Sequence, residues 1–302
     1  DCLNMNFQRG FELENKEKEL DIFNIVRDAL IGQGVVFFGS LAHGIYSTYM
    51  PKKEGKRIIQ KNPDFDVMAL KPQFTATVVK ERLEYNGYTN ISIIKRERIG
   101  EVIAAHYEVR FGKDTICFIY EPLACHSYNV VEIDKRKVRV ATIDTMLSFY
   151  LAFIYANRPY YDKNRILCMA EFLFKVQQRN RLQQKGVLRR FSINCYGSQS
   201  TLEDIREEKT KKYNELMNNK KTKEYEEWFL RYIPNENKGK SKSKPKDDNP
   251  KYEKAKKKKT QKNNFKGKSK SKSKSKKDKK KIVKDLFMLN QKKDDSFKIP
   301  LY

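Results

Sequence analysis

Two short stretches of this chain have the residue types and spacing that could do chemistry: Phe38-Gly39-Ser40 and Asp64-Phe65-Asp66. Residues two apart in a strand point to the same side, so Asp64 and Asp66 place two carboxylates on one face. Two such charges repel unless a cation lies between them. A pair of Mg²⁺ (or Mn²⁺) ions, which prefer carboxylate and phosphate oxygens, would resolve that repulsion. Gly39 lets a triphosphate approach the backbone, and Ser40 offers a hydroxyl and an N–H at a helix N-terminus, where anions are favoured. These are the parts of two-metal nucleotidyl transfer: one ion activates an attacking 3′-hydroxyl and both stabilise charge at an α-phosphate. Either motif alone means little, because Gly-Ser turns are common and an Asp-x-Asp is more often a solvated strand end. Their order in one chain, with the acidic pair opening an apolar strand, is the rarer observation.

The elements that must position these residues are readable from periodicity. Glu12 to Leu30 has the apolar spacing of an amphipathic helix, ended by Gly32 and Gly34. The run from 34 to 39 is of strand type, and a helix over Leu41 to Tyr49 follows with Ser40 as its cap. Pro51 to Asn62 is a basic loop, and Phe65 to Leu70 a second strand. Phe74 to Tyr85 is a helix, followed by strands at Thr89 to Lys95, Val102 to Phe111 and Thr115 to Glu121, with Gly112-Lys113-Asp114 as a hairpin turn. From Thr142 the pattern is helical, with helices expected at Ile166 to Val176, Thr201 to Leu216 and Tyr225 to Tyr232. The fold class is therefore α+β, a small mixed sheet with helices followed by a helical region.

Composition bounds the rest. The chain has 302 residues and a formal net charge of +26. The 44 residues from Lys238 to Lys281 hold 22 Lys against four acidic residues, so +18 of that charge sits in one segment. Such a segment cannot offset its ordering entropy and is expected to be disordered. No apolar run reaches the length of a membrane helix, so no membrane partner is expected. The five scattered cysteines lack a CxxC pair, which argues for a reducing compartment and against a disulfide framework. Three histidines without helical spacing make a His-based metal site unpromising.

Through these residues the chain resembles the polymerase-β-like nucleotidyltransferases, whose signature is a Gly-Ser turn followed by Asp-x-Asp. More narrowly it is similar to poxvirus and giant-virus poly(A) polymerase catalytic subunits, over Val35 to Tyr46, Pro63 to Leu70 and Ser127 to Phe149. The resemblance implies a polynucleotide adenylyltransferase: template-independent transfer of AMP from ATP to an RNA 3′ end, with release of pyrophosphate. It implies nucleotide binding at Gly39 and Ser40, and metal binding and catalysis at Asp64, Asp66 and a third carboxylate on a later hairpin strand. Glu108 is the favoured third residue and Glu121 the alternative, with Glu108 expected opposite Cys117. RNA binding is expected at Lys52, Lys53, Lys56 and Arg57, with Arg179, Arg181, Lys185, Arg189 and Arg190 as a second basic cluster and the Lys-rich tail as a tether.

The expected organisation is an N-terminal helix region (1–30), a catalytic domain (31–141), a helical domain (142–234), the disordered Lys-rich segment (235–281) and a short terminal segment (282–302). The family allows a homodimer or an accessory subunit, and a viral source would imply a cytoplasmic setting. Two other functions fit the same residues: nucleotidyl transfer to a different acceptor, and an inactive paralogue that binds RNA or supports a partner.

Overall fold

The computed structural model describes Cys2 and residues 16–51, 64–133 and 135–230. The basic loop with Lys52, Lys53, Lys56 and Arg57, the Lys-rich segment and the terminal segment lie outside the described residues. Helix α1 (Lys16–Gly32) buries Ile22, Phe23, Val26 and Leu30, a spacing that forms one apolar stripe. Strand β1 (Val36–Phe38) follows, then α2 (Ser40–Ser47), β2 (Phe65–Met68) and α3 (Pro72–Tyr85). Next come β3 (Ile91–Arg96), β4 (His106–Phe111), β5 (Asp114–Tyr120), β6 (His126–Ile133) and β7 (Arg136–Ala141). The chain then forms α4 (Ile143–Ala156), α5 (Lys163–Arg179), β8 (Cys195–Tyr196), α6 (Leu202–Leu216) and α7 (Lys223–Phe229).

The strands form one eight-stranded mixed sheet in the order β3-β4-β5-β2-β1-β7-β6-β8. β1 pairs antiparallel with β2 and parallel with β7, and β2 pairs parallel with β5. The two short motif strands thus lie in the middle of the sheet, covered on both faces. Phe65 stacks on Phe23 of α1 at 4.8 Å, whereas Phe38 stacks on Phe149 of α4 at 4.6 Å. α1 and α3 therefore cover one face, and α4 covers the face that carries Asp66, the cross-strand partner of Phe38. One hydrophobic core runs from α1 through the sheet into α5, and Leu216, Tyr225 and Trp228 form a smaller second cluster.

Caps fall where hydroxyls and carboxylates could reach the first free N–H groups. Thr142 caps α4, Asp162 caps α5, and Thr201 with Asp204 forms a reciprocal capping box on α6. At α2 the cap position is Gly39, and Ser40 is the first helical residue. β6 was not anticipated by periodicity. Its Asn129 is buried and donates to the carbonyls of Val187 (3.1 Å) and Arg189 (2.9 Å), so a polar residue stands where alternation would place an apolar one.

The cysteines correct the sequence reading. Cys2 pairs with Cys168 and Cys125 with Cys195, each with Cα atoms 5.3 Å apart, and buried Cys117 is the free thiol. The partners are 166 and 70 residues apart, so no local spacing announced them. One bridge holds the edge strand β8 against the start of β6, and the other ties residue 2 to α5. Among the described residues no helix is long and apolar enough to cross a membrane.

Candidate active site

Asp64 and Asp66 line a cleft between the central sheet and α5, together with Ser40, Tyr150, Tyr161 and Arg165. Asp64 is buried and Asp66 half-buried. The turn that carries Ser40 is built against Asp66. Gly39 has φ 71° and ψ −146°, a backbone region that only glycine occupies without strain. A Cβ on Gly39 would sit 2.9 Å from both Cβ and Cγ of Asp66 and closer still to its Oδ2. The missing side chain at 39 is therefore the space that the Asp66 carboxylate fills. The expected juxtaposition of Gly39, Ser40, Asp64 and Asp66 is present in the fold, and Ser40 starts an eight-residue helix whose positive end opens at this cleft.

Two residues of the walls, Arg165 and Tyr150, were not legible in the sequence. Arg165 lies in the first turn of α5 and brings a guanidinium to the cleft. Tyr150 hydrogen-bonds His43 at 2.7 Å, across 107 residues. His43 is fully buried, and burial together with the positive charge of Arg165 lowers its pKa to about 3, so the imidazole is neutral. His43 therefore positions Tyr150 from within the core and does not reach a ligand. Burial and the nearby Asp66 charge push the Tyr150 hydroxyl well above its ordinary value. Tyr161 stacks on Phe153 at 4.6 Å and meets Tyr160 edge-on, giving the cleft an aromatic rim. Two other tyrosines lie elsewhere: Tyr46 is a core residue whose hydroxyl donates to Ala141 (2.8 Å) and Val187 (3.2 Å). Tyr196 accepts from the N–H of Leu70 at 3.3 Å. Neither lines the cleft.

The third carboxylate is where sequence and structure part. Phe111 faces Asp114 across the hairpin, the pairing from which an unbroken ladder would set Glu108 opposite Cys117, but the register shifts between Val109 and Arg110. One extra residue on β5 then brings Glu108 opposite Phe118 instead of Cys117. Asp66 also pairs with Phe118, so Glu108 is turned to the Asp66 face, two strands away, or about 10 Å. There it is occupied. Arg96 donates to Oε2 through Nε (3.0 Å) and Nη2 (2.6 Å), while Arg110 Nε (2.6 Å) and the Thr115 hydroxyl donate to Oε1. Burial alone would raise the Glu108 pKa, but these donors outweigh it and hold the carboxyl below its usual range. Glu121, exposed, follows the opposite alternation and lies at a different surface with Arg98 and Asp204. The strand neighbour of Asp66 is an aromatic ring, and neither glutamate joins the pair.

That donor set can be tested against the ions the fold implies. Asp64 and Asp66 offer hard oxygen ligands on one face at the mouth of a helix N-terminus, which suits one divalent cation shared with phosphate oxygens. Among the described residues no group of three or more His, Cys, Asp or Glu could hold a metal ion. The residues fit one cation and supply no side chain of their own for a second.

The second basic cluster is distant. Arg179 is 14 residues along α5 from Arg165, or about 20 Å on a helix, and Arg190 pairs with Asp144 at 3.1 Å.

No family model and no curated protein matches the chain. Among solved structures, its fold is similar to that of the Megavirus polyadenylate synthase, with a TM-score of 0.51 and 12% sequence identity. The match covers 70% of this chain and 46% of that one, so this chain spans about half the length of the synthase. The mixed sheet with flanking helices is a poly(A) polymerase fold of the α+β class.

Proposed function

We propose that this chain binds a nucleoside triphosphate in the Asp64/Asp66 cleft and transfers its nucleotidyl group, as AMP from ATP, to the 3′-hydroxyl of an RNA. The observation that carries this reading is the closure of the Gly39-Ser40 turn on Asp66, which puts a helix N-terminus and two carboxylates at one point. In the reaction a bond forms between the 3′-oxygen and the α-phosphorus, the α–β bridging bond breaks, and pyrophosphate leaves. Ser40 and the α2 N-terminus would receive phosphate oxygens. Arg165 would pair with the triphosphate, and the rim formed by Tyr160 and Tyr161 would stack the base. A divalent cation held by Asp64 and Asp66 would neutralise charge on the phosphate oxygens. The similarity to a viral polyadenylate synthase supports RNA and ATP as the substrates; this chain would act alone, as a homodimer, or with an accessory subunit.

One observation favours a second reading. Phe118 beside Asp66 and the occupied Glu108 leave the attacking hydroxyl without a carboxylate-held cation of its own, which suits nucleotide and RNA binding without transfer. Primer extension separates the two. An oligo(A)-ended RNA is incubated with each NTP and Mg²⁺ or Mn²⁺, beside the Asp64→Ala/Asp66→Ala variant. An ATP-selective ladder from the unaltered chain alone supports transfer. Saturable ATP binding without a ladder, lost in the variant, supports the second reading.

A further inference from the structure

The Glu108 cluster has a geometry that its structural role does not use up. The carboxylate is 2% exposed, while the two arginines that hold it, Arg96 and Arg110, are 38% and 31% exposed. Arg96 spends Nε and Nη2 on Glu108 and Arg110 spends Nε. Among the described residues the remaining guanidinium groups, Arg96 Nη1 and both Nη of Arg110, make no hydrogen bond. One negative charge thus fixes two positive ones, and the cluster keeps a net positive charge at the surface. Its place on the sheet is defined by register. Arg96 is the cross-strand partner of His106, which lines the Asp64/Asp66 cleft, and Glu108 lies on the Asp66 face. The cluster therefore begins where the cleft ends, about two strand spacings, or ~10 Å, from the carboxylate pair.

We propose that Arg96 and Arg110 dock the phosphodiester backbone of single-stranded RNA on this sheet face, leading its end toward Asp64 and Asp66. The inference rests on the reading of RNA as the acceptor, but not on transfer taking place. Charge complementarity selects the occupant. Two guanidinium forks held in place by a buried carboxylate present paired N–H donors to phosphate oxygens at little ordering cost. Neither arginine lines the cleft that would seat the triphosphate, so the phosphates met here belong to the polymer. Backbone contacts of this kind carry no sequence preference.

The test measures binding of a labelled single-stranded RNA to the full chain by fluorescence anisotropy over a salt series, with ATP binding in parallel. Removing the arginines alone would strand a buried charge, so the variant is Arg96→Gln/Glu108→Gln/Arg110→Gln, which removes the carboxylate charge as well. Loss of two phosphate contacts should weaken RNA binding about tenfold and reduce the slope of log K against log salt by about 1.4. ATP binding should be unchanged. The single variant Glu108→Gln keeps both positive charges but loses the carboxylate that fixes the two forks, so it should weaken RNA binding less than the triple variant while keeping the salt slope, which separates fixed geometry from charge. Unchanged RNA affinity and slope in both variants, with ATP binding and fold intact, would overturn the proposal. If primer extension fails while these shifts appear, transfer falls and the docking surface stands.

Discussion

Replacing Gly39 by alanine should damage this protein through Asp66, and the size of the effect can be worked from the geometry. The backbone at 39, with φ 71° and ψ −146°, costs a residue with a side chain about 1–3 kcal/mol. The new methyl would also meet Asp66 Cβ and Cγ at 2.9 Å. Asp66 cannot retreat easily, because its backbone is paired with Phe38 on one side and Phe118 on the other. The sum should be about 3 kcal/mol, and Asp66 should be driven off its position. For a folded body of this size each kcal/mol corresponds to about 2–4 °C in Tm. The assay is a double-mutant cycle of Gly39→Ala and Asp66→Ala, read by guanidinium melts, with Mn²⁺–ATP affinity alongside. Shortening Asp66 removes Cγ and the carboxylate from the collision, so Gly39→Ala should cost about 1–2 kcal/mol less in that background. Mn²⁺–ATP affinity should fall in either single variant and fall little further in the double. Strict additivity of the two stabilities would refute the idea that the turn and the carboxylate are built against each other.

Other outcomes follow from the same structure. Phe118→Asp places a carboxylate beside Asp66 on the same face; titration of Mn²⁺ in the presence of a non-hydrolysable ATP analogue should rise from one ion to two. His43 titrates near 3 when folded and near its ordinary 6.5 when unfolded, so the unfolded chain takes up a proton first as pH falls. Its contribution to stability is complete above about pH 6.5 and declines toward pH 3 by at most about 1.4 kcal/mol per pH unit, and His43→Gln should flatten acid melts in that window. Glu227 is 4% exposed and held by Arg158 at 2.9 Å, so Arg158→Ala should cost about 3–5 kcal/mol in a denaturant melt, less whatever Lys223 recovers. Denaturing alkylation without reductant should label one thiol, Cys117, and five after reduction, as read by intact mass.

The parts that the sequence by itself determined are those set by neighbours in the chain. The alternation of a strand put Asp64 and Asp66 on one face, the Gly39-Ser40 step marked a strand-to-helix turn, and the periodicity of 74–85 and 201–216 marked helices within two residues of their observed bounds. Gly112-Lys113 likewise set a hairpin whose first pair, Phe111 with Asp114, is as expected. Tertiary structure alone decided what faces these residues. A single extra residue on β5 reversed the face that Glu108 meets, and a one-residue slip is invisible to a pattern whose period is two. Arg165 and Tyr150 reach the cleft from helices about 100 residues away, and the partners of Cys2 and Cys125 lie 166 and 70 residues on. Local spacing records torsional preference and burial, which act over a few residues. The company a carboxylate keeps depends on strand register and chain closure, which only the packed core fixes.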